Sequence, residues 1–172
     1  DNGCRGIFVG VESGSEESLR RIGKNLTMNH IRRFFDNIKT LCSIYKDTDV
    51  VASFIIGFPW EGIEDVNRTI DLAVKLDPSY AQFTIATPYP GTPLYDYAVK
   101  HNLIIDWNWE HYTTLRAVMR SFFLDAQAIE RLLRKAYTKF YLRLRYLARE
   151  AKKRRLLSLI PTIVKSIISW LI

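Results

Sequence analysis

Cysteine is scarce in this chain of 172 residues, with Cys4 and Cys42 as its two thiols. Two thiols so far apart form neither a disulfide framework nor a metal-binding motif with recognisable spacing. The composition therefore excludes a small disulfide-stabilised secreted domain. It predicts two reduced structural thiols in a cytoplasmic protein and no metal ligands within the chain.

Long apolar runs are also missing. The mostly apolar stretch 156–172 is broken by Pro161 and Lys165, whereas a transmembrane helix needs about 20 apolar residues. The chain starts at Asp1 just before an apolar run at 7–11, without a signal-peptide pattern. On this basis we expect the sequence to be a fragment of a longer protein.

Acidic residues are scarce in the last part of the chain. Residues 125–172 carry 12 Lys and Arg against 3 acidic residues, whereas residues 1–124 carry 13 against 15. The net charge of +7 therefore comes from a basic extension on a slightly acidic body. Three interpretations of the extension stay open: packing on a missing domain, peripheral contact with an anionic membrane surface, and nucleic-acid binding. The last is not expected, since no motif supports it.

Three short apolar segments alternate with helical patterns along the body. Strands are predicted at 6–12, 50–57 and 80–86. Helices are predicted at 16–23, 28–45, 63–76, 94–101 and from 125 onward. Because helical crossovers join parallel strands, the order predicts an α/β fold, the C-terminal part of a partial (β/α) TIM-type barrel with a helical C-terminal extension.

The predicted organisation has three parts. Residues 1–104 form the later βα units of the barrel, residues 105–124 an irregular aromatic connector, and residues 125–172 the basic helical extension. In the first part of the extension, apolar side chains recur at helical spacing. These are Leu132, Leu133, Ala136, Phe140, Leu144 and Leu147.

In parallel α/β folds the ligand site lies at the carboxyl ends of the strands, which selects the loops 12–15, 57–62 and 87–93. Glu12 either accepts hydrogen bonds from a vicinal diol or caps the next helix. Gly57 either lets a flat ligand approach the backbone or satisfies a turn. The three prolines of the third loop either shape a pocket or make a tight connection.

Glu61 is interpreted mainly as a cap for the helix that starts near Ile63. Lys24, after the first short helix, has a solvated surface position as its default interpretation.

Four motifs occur in order along the body: GVESGS at 10–15, IGK at 22–24, FIIGFP at 54–59 and PYPGTPLY at 88–95. Together they resemble the later strands of the radical S-adenosylmethionine superfamily, over about residues 3–100 and 125–150. The proline-rich motif and the segment 136–147 are similar to the subgroup that carries an upstream cobalamin-binding domain.

The resemblance implies an enzyme that reductively cleaves S-adenosylmethionine for radical chemistry. It implies a [4Fe–4S] cluster held by a CxxxCxxC loop, a motif that this sequence does not contain. We therefore expect the cluster ligands upstream of the chain and the chain alone to be inactive. Cobalamin is a further implied cofactor, with methyl transfer or oxidative cyclisation as the reaction. The implied partners are a small-molecule or lipid-like substrate and a reductant such as ferredoxin or flavodoxin.

The resemblance also assigns roles to residues. Glu12 corresponds to the group that binds the ribose hydroxyls, and Lys24 to a basic residue that pairs with the methionyl carboxylate. Ser53 stands where some relatives place an acid toward the ribose, and Ile55, Ile56 and Gly57 fall in the strand segment that lines the adenine. The full set of predicted cofactor-binding residues is Glu12, Ser13, Lys24, Ser53, Ile55, Gly57, Thr87 and Pro88.

Two other interpretations remain. The chain could belong to a non-catalytic membrane-associated or scaffolding protein with a degenerate barrel. It could also belong to a methylthiotransferase, although the helical extension differs from the small RNA-binding β-barrel that the resemblance implies for those enzymes.

Overall fold

The computed structural model describes residues 3–45 and 48–152. Its strands β1 (Gly6–Glu12), β2 (Asp49–Ile56) and β3 (Tyr80–Ile85) form one parallel sheet in the order β1-β2-β3. The predicted α/β class is confirmed. Three strands do not make a barrel, so the partial barrel stays a prediction.

Within the described residues, six α-helices accompany the sheet, and most begin at side-chain caps that the sequence supplies. Their bounds are α1 (Glu16–Arg21), α2 (Met28–Ile44), α3 (Ile63–Leu76), α4 (Pro93–Lys100), α5 (Ala126–Tyr141) and α6 (Leu144–Lys152). At Ser15, Thr27, Thr92 and Asp125 a side-chain oxygen accepts a hydrogen bond from a backbone N–H in the first turn. Such caps satisfy N–H groups that have no partner within the helix.

One apolar core lies on a single face of the sheet. Strand residues such as Ala52, Phe54 and Phe83 alternate with less buried neighbours and are fully buried. They join the apolar faces of α2, α3 and α5 in one continuous cluster. A smaller cluster, including Phe58 and Met119, lies beyond the carboxyl ends of β2 and β3.

The opposite sheet face is covered less completely. The register aligns Gly10 of β1 with Ser53 of β2 and Gln82 of β3. Ser53 is partly exposed and Gln82 is exposed. Phe8, one alternation earlier on β1, is 65% exposed. The described residues thus leave one sheet face accessible, at the strands that carry the predicted site.

Two tyrosines of α5 close the outer edge of β3. The Tyr137 hydroxyl accepts from the N–H of Phe83 at 3.2 Å and donates to its carbonyl at 2.9 Å. The Tyr141 hydroxyl makes the same pair of bonds with Ala81, at 3.2 and 2.9 Å. Phenols spaced by one helical turn therefore occupy backbone groups that a further strand would use.

A break after α5 changes which residues are buried. The apolar residues at helical spacing continue through Leu144 and Leu147, but α5 ends at Tyr141 and α6 restarts at Leu144. Leu144, at the start of α6, is 85% exposed. Tyr146 and Glu150 are buried instead, one helical turn apart.

None of the helices within the described residues is long and apolar enough to span a bilayer. The apolar stretch 156–172, with Pro161 and Lys165, lies outside the described residues. The membrane interpretation of the extension therefore stays a prediction.

Candidate functional site at the carboxyl end of the sheet

Strand β1 ends in an irregular turn that carries Glu12. The register to β2 shifts between Gly10 and Glu12, and Glu12 has a φ of 68°. The left-handed conformation costs a residue with a side chain roughly 1–2 kcal/mol. Strained residues of this kind concentrate at functional sites, where the surrounding structure holds them. Glu12 is therefore a candidate on geometric grounds as well as on its motif.

Glu12 and Lys24 form an ion pair over Gly10. The Lys24 Nζ donates to Glu12 Oε1 at 2.9 Å, and the side chains are 33% and 18% exposed for the lysine and the glutamate. A Cβ at Gly10 would overlap the Glu12 carboxylate and touch the Lys24 ammonium. Glycine at this position is thus what allows the pair to lie against the sheet.

The ion pair lies on the accessible sheet face. Because the Glu12 carboxylate occupies the space of a Gly10 side chain, it shares the face of Gly10 and Ser53. Ile55 follows two residues after Ser53, on the same face of β2, and is partly exposed. The structure thus brings together four of the predicted site residues, Glu12, Lys24, Ser53 and Ile55, at one end of one face.

Ser13 belongs to a buried network rather than to the accessible face. Its hydroxyl donates to Glu61 Oε1 at 3.1 Å and lies 3.2 Å from the Thr69 hydroxyl. The Ser18 hydroxyl donates to the same Glu61 oxygen at 2.8 Å. Ser13, Ser18, Glu61 and Thr69 are all buried. These side chains connect the β1–α1 segment with α3 and the residues before it.

Glu61 is the centre of that network. Besides the two serine hydroxyls, its Oε2 accepts from the backbone N–H groups of Gly57 at 2.9 Å and Phe58 at 3.3 Å. Burial raises the pKa of the Glu61 carboxyl, and the four hydrogen bonds oppose that rise. An unpaired buried carboxylate would be very costly, so the four donors are what allow Glu61 to occupy this position.

The interpretation of Glu61 as a helix cap is wrong. Gly62 is the N-cap of α3, and its N–H donates to Asp65 at 3.0 Å. Glu61 turns back instead toward the loop that precedes it. Sequence reasoning missed this role because a buried carboxylate with four donors leaves no periodic pattern. The sequence signal for this role is the spacing of four residues between Gly57 and Glu61.

Gly57 is explained by the turn and by close packing. Its φ is 80°, and a Cβ there would lie 2.8 Å from a methyl carbon of Ile129 in α5. Its N–H is bound by Glu61. The turn requirement is therefore satisfied, while contact of Gly57 with a ligand stays a prediction.

Thr87 and Pro88 lie where the proline-rich loop meets the connector. The Thr87 hydroxyl has the carbonyl oxygens of Ile85 and Thr113 within 3.0 and 3.3 Å, and Pro88 is buried. The Tyr89 hydroxyl donates to the Tyr112 carbonyl at 3.0 Å. These bonds fix the loop to the segment that follows α4, so its rigidity has a second cause beside its prolines.

Within the described residues, neither Cys4 nor Cys42 takes part in a disulfide. Within residues 3–45 and 48–152, His, Cys, Asp and Glu form no group of three or more suited to a metal ion. The part of the chain that the structure describes thus offers no ligand set for an iron–sulfur cluster.

No protein-family model matches the chain. It is 45% identical over 87% of its length to an uncharacterized methyltransferase of Pyrococcus horikoshii, of which it covers 32%. It is 32% identical over 52% of its length to the threonylcarbamoyladenosine tRNA methylthiotransferase of Thermotoga maritima, of which it covers 20%. A tRNA-2-methylthio-N(6)-dimethylallyladenosine synthase of Thermus thermophilus is 33% identical over 54% of the chain, which covers 19% of that protein.

These relatives support the radical S-adenosylmethionine superfamily. The chain spans about a third or less of the length of each. A match over 150 of the 172 residues must include everything from α2 to α5, so the similarity to the methyltransferase reaches beyond the three strands. The relatives are named as enzymes, which agrees with an enzyme rather than a scaffold.

Proposed function

We propose that this chain forms three later βα units of a radical S-adenosylmethionine methyltransferase and contributes the ribose and methionyl subsites of its cofactor. The observation that carries the proposal is the Glu12–Lys24 ion pair, held on an accessible sheet face at the carboxyl ends of the strands. A carboxylate and an ammonium group that lie side by side and are partly exposed suit a ligand that has both hydroxyl donors and a carboxylate.

The donor set fits the cofactor. The Glu12 carboxylate has a second oxygen and further lone pairs for a vicinal diol, and Lys24 has two N–H groups beyond the one that it gives Glu12. The Ser53 hydroxyl and the apolar Ile55 side chain lie beside them, matching a polar ribose and a flat adenine. The bare surface of Gly10 leaves room for the ion pair under the ligand.

When bound, S-adenosylmethionine supplies a transferable methyl group and, after one-electron reduction, a carbon-centred radical. The residues of this chain orient it: Glu12 fixes the sugar, Lys24 holds the carboxylate and Ile55 excludes water from the adenine. Cluster ligands upstream of residue 1, cobalamin and a ferredoxin- or flavodoxin-type reductant are further parts of the proposal. The substrate is a small or lipid-like methyl acceptor.

Methyl transfer is favoured over the alternatives by the extent of similarity. The methyltransferase relative matches a region that includes α5, whereas the tRNA methylthiotransferases match about half of the chain. Methylthio transfer to tRNA is the second candidate, favoured by the names of those relatives.

The test is binding and turnover by the full-length protein, purified anaerobically and reconstituted with iron and sulfide. We expect S-adenosylmethionine to bind, with an affinity at least about tenfold weaker in Glu12→Gln and in Lys24→Met. The matched controls are Glu16→Gln and Lys39→Met, which change exposed residues of α1 and α2.

Formation of S-adenosylhomocysteine with methylated product would support methyl transfer, and a methylthiolated tRNA would favour the second candidate. Full-length protein that forms no cluster and binds no S-adenosylmethionine would overturn both in favour of a scaffold.

A further inference from the structure

The loop that carries Glu12 and the loop after β2 meet at one carboxylate. Glu61 accepts two hydrogen bonds from the β1–α1 segment, through Ser13 and Ser18, and two from the backbone of Gly57 and Phe58. Each carboxylate oxygen thus serves two donors. The tie joins two segments that lie more than 40 residues apart in sequence.

Both ends of this tie adjoin predicted cofactor contacts. Ser13 directly follows Glu12, whose φ of 68° requires support from its surroundings. Gly57 directly follows Ile56 at the end of β2, two residues after Ile55. A shift at Glu61 would therefore move the ribose-binding carboxylate relative to the adenine-lining strand.

The network has further members that hold Glu61 in place. Its backbone carbonyl accepts from the Ser121 hydroxyl at 2.9 Å, and Ser18 accepts from the Trp60 indole N–H at 3.1 Å. Gly14 has no room for a Cβ against the backbone of α3 at Arg68. The Glu61 backbone and its Ser18 partner are thus held by further hydrogen bonds, as is typical of residues that support a binding site from behind.

We infer that Glu61 is a positioning residue, which sets Glu12 and the end of β2 at the separation that the nucleoside of S-adenosylmethionine requires. It acts through Ser13, Ser18, Gly57 and Phe58 and does not touch the cofactor. The inference rests on the proposed function and adds to it a buried residue that determines cofactor affinity.

The experiment compares Glu61→Ala, Glu61→Gln and Ser18→Ala with Asp77→Asn in the full-length protein. Asp77 lies at the opposite end of the sheet, just before β3. We therefore expect Asp77→Asn to lower stability without changing the loops that Glu61 connects. For each variant, stability is measured by denaturant unfolding and the S-adenosylmethionine dissociation constant by calorimetry. The dissociation constants are compared only among variants that are folded under the conditions of the binding measurement.

We expect Glu61→Ala to weaken S-adenosylmethionine binding about tenfold or more, and Ser18→Ala by a smaller factor, about threefold. Glu61→Gln should restore affinity to within about threefold, because its amide oxygen can accept from Gly57 and Phe58 while its NH₂ donates to the serine oxygens. Asp77→Asn should leave affinity unchanged despite its lower stability. If Glu61→Ala does not fold, Ser18→Ala decides the matter.

Affinity that stays at the wild-type level in folded Glu61→Ala, or in Ser18→Ala if the alanine variant fails to fold, would overturn the positioning role alone. Affinity that falls equally in Asp77→Asn would overturn it too, since the loss would then follow stability. A wild-type protein that does not bind S-adenosylmethionine would overturn the proposed function and the inference together.

Discussion

The two ends of the sheet use the same chemistry in different ways. At the carboxyl end, Glu12 and Lys24 form an open pair in which each side chain keeps unused hydrogen-bonding capacity. At the amino end of β3, Asp77 binds Arg143, Arg145 and Arg149 of the α5–α6 region. Charge at the first end is available to a ligand, whereas at the second it holds the helices to the sheet.

Asp77 and Arg143, at the amino end of β3, have little exposed surface left for a ligand. Asp77 is 10% exposed and Arg143 14%, and the guanidinium of Arg143 also donates to the carbonyl of Val74 at 2.9 Å. Arg149 donates to the carbonyls of Pro78 and Ser79. Cations at the C-terminus of α3 are favoured by the helix dipole. A part of the basic charge of the extension is therefore structural.

The largest effect is expected from breaking the amino-end cluster. Asp77→Asn keeps a residue that tolerates the φ of 51° but leaves the partly buried Arg143 and Arg149 without their anion. We expect the free energy of unfolding to fall by about 3 kcal/mol. Denaturant unfolding measures it, with Asp71→Asn as the control, because the exposed Asp71–Lys139 pair should be worth under about 1 kcal/mol. Equal losses in the two variants would show that the Asp77 cluster contributes no more to stability than an exposed ion pair.

The difference between the two ends of the sheet also explains which features can be predicted from the sequence. The apolar period predicts the strands and α3 to within a residue, because it follows burial directly. The motifs indicate Glu12, Lys24 and Ser53, and the structure brings these residues together. The sequence assigns Arg143 and Arg149 only to a basic extension, since their pairing with Asp77 depends on a contact across about 70 residues. The roles of Glu61 and of the α5 tyrosines also depend on contacts between residues distant in sequence, so the sequence pattern does not predict them.

The next effect concerns the edge of β3. Tyr137→Phe with Tyr141→Phe removes both hydroxyls and leaves four backbone groups of Ala81 and Phe83 without partners. We expect a loss of about 2 kcal/mol in stability and faster hydrogen exchange at the two amides. Tyr45→Phe, at an exposed residue, is the control. Unchanged exchange at Ala81 and Phe83 would show that α5 does not close the edge.

The same tyrosines predict a pH dependence. Burial raises the pKa of Tyr141 to about 12. Because the folded state holds the phenol proton more tightly than the unfolded state, this contribution is present below pH 10 and is lost as the pH rises toward 12. The double phenylalanine variant should lose that part of the alkaline decline in stability.

The smallest effect on stability is expected at Glu12, where the comparison is sharpest. Replacing it costs one partly exposed ion pair, worth under about 1 kcal/mol, while glycine also relieves the left-handed backbone. Glu12→Gly should therefore be at least as stable as Glu12→Gln, by up to about 1 kcal/mol, although glycine usually destabilises. Both variants should lose affinity for S-adenosylmethionine in the full-length protein. A Glu12→Gly variant less stable than Glu12→Gln would mean that the residue at position 12 contributes to the stability of the fold. The Glu12–Lys24 pair would then be structural, like the Asp77 cluster.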